Sequence, residues 1–153
     1  QARRILLTYS CKNVKIYWGG FMEDYIDPIM KKIINEQEKK GGLNITMLEP
    51  GTKITIETKN SIYKFIPMEG RQGVISGGMT KSGDIRFEKP TPCILIGSTW
   101  GGSMLKPDWI GEGMRLEIAV QEEDQKIIST SGVRNVDIEA PDGSWSYSMD
   151  WNK

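Results

Sequence analysis

One glycine-rich stretch, Gly97-Ser98-Thr99-Trp100-Gly101-Gly102-Ser103-Met104-Leu105-Lys106, links two β-like runs of this chain. The run before it, 93–96, is continuously apolar, as is typical of a buried central strand. The run after it, 114–120, alternates apolar and polar residues. Glycine permits positive φ angles and lets another chain or a ligand approach the backbone closely. The stretch is therefore a turning point between two strands and the first candidate for a binding site.

Short strand patterns fill the rest of the chain on both sides of this stretch. They alternate apolar and polar residues and are separated by turn residues; they cover 43–47, 53–58, 61–66, 73–76, 84–87, 126–130, 133–139 and 145–151. Tight hairpins are predicted at 59–60, around 81–83 and at 131–132. The last strand places Trp145, Tyr147, Met149 and Trp151 on one face, which is typical of a side that packs on a core.

The first part of the chain predicts two strands, 3–9 and 14–18, followed by a turn at 21–26 and one α-helix. Asp27 and Pro28 suit the N-cap and first helical positions, and Gly41 is a stop signal. These features predict a helix from about residue 28 to residue 40.

Together these patterns predict a mainly β protein. We expect a small β-barrel or sandwich of short antiparallel strands, with the helix covering an end or an edge. A length of 153 residues without a linker or internal repeat predicts a single domain, 1–153. Within it, 1–42 forms a strand-strand-helix lead-in and 43–153 forms the barrel-like body.

Composition restricts the chemistry that this protein can perform. The chain has no histidine, which excludes Ser-His-Asp and Cys-His catalysis and the usual zinc sites with histidine ligands. These exclusions favour a protein that is not an enzyme and that needs no cofactor or metal. Equal numbers of acidic and basic residues, 20 of each, argue against a nucleic acid polymer as the partner.

Two further expectations concern the protein's environment. No apolar run reaches the roughly 20 residues that a membrane-spanning helix needs, so we expect no membrane association. No signal peptide is recognisable, and Cys11 and Cys93 could form at most one disulfide. Two reduced thiols are therefore favoured, and we expect a cytoplasmic protein.

Four segments of the chain carry a resemblance to a known group of proteins. They are Asn60-Ser61-Ile62-Tyr63, the 97–106 stretch, Trp109-Ile110-Gly111-Glu112-Gly113-Met114-Arg115-Leu116-Glu117 and Ile128-Ser129-Thr130-Ser131. In this order they resemble motifs of small, uncharacterised bacterial all-β proteins. The resemblance covers roughly 43–138. It implies one compact β-domain, and it implies no particular activity, since none is known for that group.

The 97–106 stretch is interpreted in two ways. As a site, its glycines Gly97, Gly101 and Gly102 would form a cradle of backbone N–H groups for an anion. Ser98, Thr99 and Ser103 would donate hydrogen bonds, Trp100 would stack on the ligand and Lys106 would neutralise charge. The sequence is not a phosphate-binding P-loop, since Ser103 stands where that motif needs lysine. As a structural element, the same glycines would mark bends that close the barrel.

Two hypotheses of function follow. The first is a non-enzymatic module that binds a small anionic, nucleotide-like molecule at the 97–106 loop. The alternative is a structural or assembly protein that forms a homo-oligomer or binds a protein partner, through exposed aromatic residues or the last strand. The strand 145–151 also has a functional interpretation as an aromatic platform, but its period of two is more typical of a core face.

Overall fold

The computed structural model describes residues 14–18, 21–25, 28–79, 82–101, 104–121 and 126–151. The strand predicted at 3–9 lies outside these residues. The described part of the chain holds no helix with both the length and the apolar character needed to span a membrane.

The lead-in contains a hairpin, the helix and a short strand. Strands β1 (Val14–Trp18) and β2 (Phe21–Tyr25) pair antiparallel, so the prediction of a turn at 21–26 is wrong. Helix α1 (Pro28–Lys39) confirms the predicted helix. Gly41 ends it with a φ of 79°, a value that glycine adopts without strain. Strand β3 (Gly42–Asn44) follows directly.

In its described residues the body contains nine antiparallel strands, and the fold is mainly β, as predicted. The strands are β4 (Lys53–Thr58), β5 (Ile62–Pro67), β6 (Gln72–Met79), β7 (Ile85–Gly101), β8 (Met104–Pro107), β9 (Trp109–Gly111), β10 (Arg115–Val120), β11 (Ile127–Glu139) and β12 (Ser146–Asp150). The main sheet runs β10-β11-β4-β5-β6-β7-β8, and β12 pairs with β11. Strand β10 also pairs with β7, so six strands are hydrogen-bonded in a closed circuit.

The core is formed by the buried faces of these strands together with residues of α1, β3, β9 and β12. Buried positions alternate with more exposed ones along β4, β5 and β10, so that one face of each of these strands is buried. The fully buried members include Ile54, Phe65, Ile75, Leu95, Ile118 and Ile138. The predicted apolar face of the last strand packs on the same core: Met149 is fully buried, and Trp145, Tyr147 and Trp151 are partly buried against it. This burial accords with the core interpretation of that strand.

Helix α1 packs at the edge formed by β12. Met30 and Ile34 of the helix are buried in the common core. The hydroxyl of Tyr147 on β12 lies 3.0 Å from Oδ1 of Asn35 and 3.1 Å from Oε1 of Glu38. Burial and the Glu38 carboxylate raise the pKa of Tyr147 above its usual value. The helix therefore holds the start of β12 against the body.

Two predicted elements differ from the structure. The strand predicted at 43–47 ends at Asn44, because the Asn44 side chain accepts a hydrogen bond of 2.9 Å from the Thr46 N–H and so caps a single 3₁₀ turn, Ile45–Met47. The hairpin predicted at 131–132 is absent, and β11 runs through it without interruption.

Strand β11 changes partners where that hairpin was predicted. Residues 127–132 pair with β10, whereas 133–139 pair with β4. A Cβ atom at Gly132 would lie 3.0 Å from the carbonyl oxygen of Gly113, so glycine permits a close approach at this crossing. The glycine marks an irregularity within one long strand and not a turn.

Candidate functional site

Strands β7 and β8 form a hairpin, the β7–β8 hairpin, that contains the predicted site. Gly97 pairs with Pro107, Ser98 with Lys106 and Gly101 with Met104. A Cβ atom at Gly97 would overlap the carbonyl oxygen of Lys106. Glycine is therefore required at position 97 because β8 passes directly over its backbone.

The hydroxyls of Ser98 and Thr99 are hydrogen-bonded inside the protein. Ser98 is fully buried; its Oγ donates to the carbonyl oxygen of Trp109 and accepts from the Gly111 N–H at 3.1 Å. Thr99 Oγ1 donates to the Met104 carbonyl oxygen at 2.5 Å and accepts from the Gly101 N–H at 2.9 Å. Both side chains thus join neighbouring strands and stabilise the hairpin.

Trp100 is presented to solvent at the end of β7. It is 71% exposed, which is unusual because tryptophan is a large apolar residue that is highly buried on average. One edge of the indole rests on Gly113, since a Cβ atom there would lie 3.1 Å from Cη2 of the ring. Gly113 also has a φ of 75°. The glycine therefore lets the indole lie close to the backbone while most of its surface stays open.

Lys106 is held by the second tryptophan of the region. Its Nζ lies 3.6 Å from the ring centroid of Trp109, which is a cation–π contact. Trp109 itself is only 4% exposed. A Cβ atom at Gly42 or Gly111 would overlap or crowd this indole, so the glycines of β3 and β9 allow it to pack tightly. The ammonium group therefore rests on a fixed ring.

Trp100 and Lys106 line one open cavity of about 520 Å³, which we call the Trp100 groove. Its lining comprises Lys40, Gly41, Trp100, Lys106, Trp109, Glu112, Gly113 and Met114. The volume is within the range of small-molecule sites. The groove lies between the end of helix α1 and the β7–β8 hairpin, where three separate parts of the chain meet.

Charged groups of both signs line the groove. Lys40 and Lys106 contribute two exposed ammonium groups. Glu112 contributes one exposed carboxylate, and its backbone N–H donates a 2.8 Å hydrogen bond to the Gly41 carbonyl oxygen. This bond joins the segment after β9 to the C-terminal turn of the helix. The groove therefore carries a net positive formal charge and contains one negative group.

The structure brings together only part of the predicted site. Trp100 and Lys106 line the groove, whereas Ser98 and Thr99 are bonded behind it and Gly97 and Gly101 lie within the hairpin backbone. Gly102 and Ser103 lie outside the described residues. Lys40 and Glu112 also line the groove. Neither was identified from the sequence, because Lys40 is explained equally well by the helix dipole and Glu112 follows no recognisable motif.

Cys93 has the environment of a structural residue. It is fully buried on β7, and burial raises the pKa of its thiol from 9.0 to about 12. A thiol is nucleophilic only as the thiolate, so this group is inert at neutral pH.

No protein-family model, curated protein or solved structure matches this chain significantly.

Proposed function

We propose that this protein is a non-enzymatic module that binds a small, planar, anionic molecule of nucleotide-like size in the Trp100 groove. The single observation that supports this most strongly is the exposure of the Trp100 indole in the same groove as Lys40 and Lys106, whose ammonium groups form no ion pair with any described residue. The exposed face of this indole forms part of the wall of the groove, and the two lysines give that groove its positive charge.

The tryptophan supplies the stacking surface in this proposal. One edge of the indole already rests on Gly113, so ordering the ring when a planar ligand stacks on it costs less conformational entropy. Stacking of a base on an aromatic side chain contributes about 1–3 kcal/mol. The ligand would therefore lie with its ring against Trp100.

The lysines supply the charge. Within the described residues, neither Lys40 nor Lys106 forms a hydrogen bond or ion pair through its ammonium group. Lys106 is already oriented by Trp109, so less side-chain entropy is lost when it meets an anion. A phosphate or carboxylate would lie against the Lys106 ammonium group, and Lys40 would add positive charge to the same groove.

A second candidate is the assembly function considered from the sequence. The β7–β8 hairpin exposes three large apolar side chains: Trp100, Met104 at 76% and Leu105 at 41%. Exposed apolar residues that cluster at one position are typical of protein interfaces. Under this alternative, Met104 and Trp100 would contribute equally, whereas only Trp100 belongs to the groove.

The two candidates are separated by matched variants. Protein purified from a metabolite-rich host is first examined by native mass spectrometry for bound small molecules and subunit number. Calorimetric titrations with AMP, UMP and inorganic phosphate then compare the parent protein with Trp100→Ala, Lys106→Ala, and the controls Met104→Ala and Lys64→Ala. Met104 and Lys64 are similarly exposed but do not line the groove.

If Trp100→Ala and Lys106→Ala lose nucleotide binding while the two control variants keep it, the result supports the groove as the binding site. Parent-like binding by Trp100→Ala and Lys106→Ala would overturn it. A ligand-free oligomer that dissociates in both Trp100→Ala and Met104→Ala would favour the assembly function instead.

A further inference from the structure

The Trp100 groove contains a carboxylate that a purely anionic ligand does not explain. Glu112 lines the groove together with Lys40 and Lys106, and its carboxylate Oε1 lies beside Gly41, at the helix C-terminus. Within the described residues, this side chain forms no hydrogen bond or ion pair. It is therefore an unused hydrogen-bond acceptor inside the proposed site.

A carboxylate in this position repels an anion and attracts a hydrogen-bond donor. An ionised carboxyl group has only acceptor atoms, and two of its lone pairs can receive N–H groups from one ligand edge. The C-terminal end of a helix adds partial negative charge to the same side of the groove. A ligand that fits must therefore present donors there and its anion elsewhere.

The other residues that line the groove indicate which kind of molecule would carry those donors. The open indole of Trp100 favours a planar ring, and the Lys106 ammonium group, which belongs to β8 and not to the helix C-terminus, favours a phosphate. A single molecule that satisfies all three features has an aromatic ring with an amino group at one edge and a phosphate at the other end.

We propose that Glu112 makes the groove selective for phosphorylated aromatic heterocycles that carry an exocyclic amino group. This inference rests on the proposed function, since it assigns a ligand class to the same groove. Glu112 would accept the amino N–H groups, while Trp100 stacks on the ring and Lys106 contacts the phosphate.

The test uses two pairs of nucleotides that differ only by the amino group. AMP is compared with purine riboside monophosphate, and GMP with IMP, by calorimetric titration of the full chain. The amino-bearing member of at least one pair is expected to bind about tenfold more tightly, which is the lower end of what one added hydrogen bond to a charged group supports. Glu112→Gln should reduce this ratio toward one, because the amide is uncharged and has an NH₂ donor in place of one of the two acceptor oxygens.

Glu88→Gln is the control, since it removes the same charge from an exposed position that does not line the groove. It should leave the ratio unchanged. Equal binding within both pairs would overturn the inference, and so would an equal change of ratio in Glu112→Gln and Glu88→Gln.

Failure of the proposed function has a different signature. If none of the nucleotides binds, or if Trp100→Ala binds all of them as the parent does, the groove is not the site and both proposals fail. If all four bind equally and Trp100→Ala weakens them together, the proposed function stands and only the role of Glu112 is overturned.

Discussion

The ammonium group of Lys106 lies 3.6 Å from the ring centroid of Trp109, and this contact connects the exposed groove with the interior. Trp109 is buried, whereas the neighbouring Trp100 is 71% exposed. The two tryptophans therefore have different roles: one is part of the core and orients a charge, and the other offers its surface to solvent.

This difference predicts unequal effects of the same substitution on stability. Trp109→Ala leaves a large cavity and should lower the free energy of unfolding by about 3–5 kcal/mol. Trp100→Ala should change it by less than about 1 kcal/mol, because most of that side chain already contacts water. Urea unfolding of both variants measures the difference. Equal losses of stability would contradict the assignment of roles.

Gly97 predicts a second contrast between two glycines. Gly97→Ala places a methyl group against the Lys106 carbonyl and should lower the free energy of unfolding by about 3 kcal/mol. Gly83→Ala is the control: it has a φ of 90° but no atom within 4 Å of its Cβ position, so its cost should be about 1 kcal/mol. Thermal or urea unfolding distinguishes them, and a smaller loss at Gly97 would show that β8 moves aside.

Ser98 predicts a loss of stability without a loss of binding. Ser98→Ala leaves the Gly111 N–H and the Trp109 carbonyl without their buried partner and should cost about 1–3 kcal/mol. Ser146→Ala, at an exposed position whose hydroxyl bonds no described residue, should cost less than about 0.5 kcal/mol. Folded Ser98→Ala should bind nucleotides as the parent does. A selective loss of affinity in a fully folded Ser98 variant would instead place its hydroxyl at the ligand.

Cys93 predicts a dependence of stability on alkaline pH. Its folded pKa of about 12 lies above the ordinary value of 9.0, so protonation of the thiol favours the folded state. The contribution is fully present below pH 9.0 and is lost as pH rises from there toward 12. Between about pH 8 and pH 10 the parent should lose more stability than Cys93→Ala, in urea unfolding at each pH. Parallel losses in the two proteins would show that other groups dominate.

Local signals predicted most of the secondary structure correctly. The helix was predictable because Pro28 and Gly41 mark its ends in the sequence, and the strands 53–58 and 115–120 because apolar residues alternate there. The continuity of β11 was not predictable from Ser131 and Gly132, since the same residues suit a turn and a bulge. Which of the two forms depends on β10 and β4, the strands that pair with it.

Only those residues of the candidate site that lie on the β7–β8 hairpin could be predicted from the sequence. Trp100 and Lys106 are close together in the sequence, and their types suggest stacking and charge. Lys40 and Glu112 join them through the hydrogen bond from the Glu112 N–H to the Gly41 carbonyl, a tertiary contact that no local pattern encodes. Conversely, the buried partners of Ser98 are backbone groups of β9, so its hydroxyl could not be distinguished from an available donor in the sequence.

An NMR titration of the isotope-labelled protein with AMP tests the central claim most directly, because it locates binding residue by residue. The indole N–H signal of Trp100 is assigned by its absence in Trp100→Phe. Our account predicts saturable shifts of this signal and of the Glu112 and Gly113 amides, with those of β12 unchanged. Shifts confined to other strands, or none up to about 1 mM AMP, where binding would be weaker than about −4 kcal/mol, would contradict a nucleotide site in the Trp100 groove.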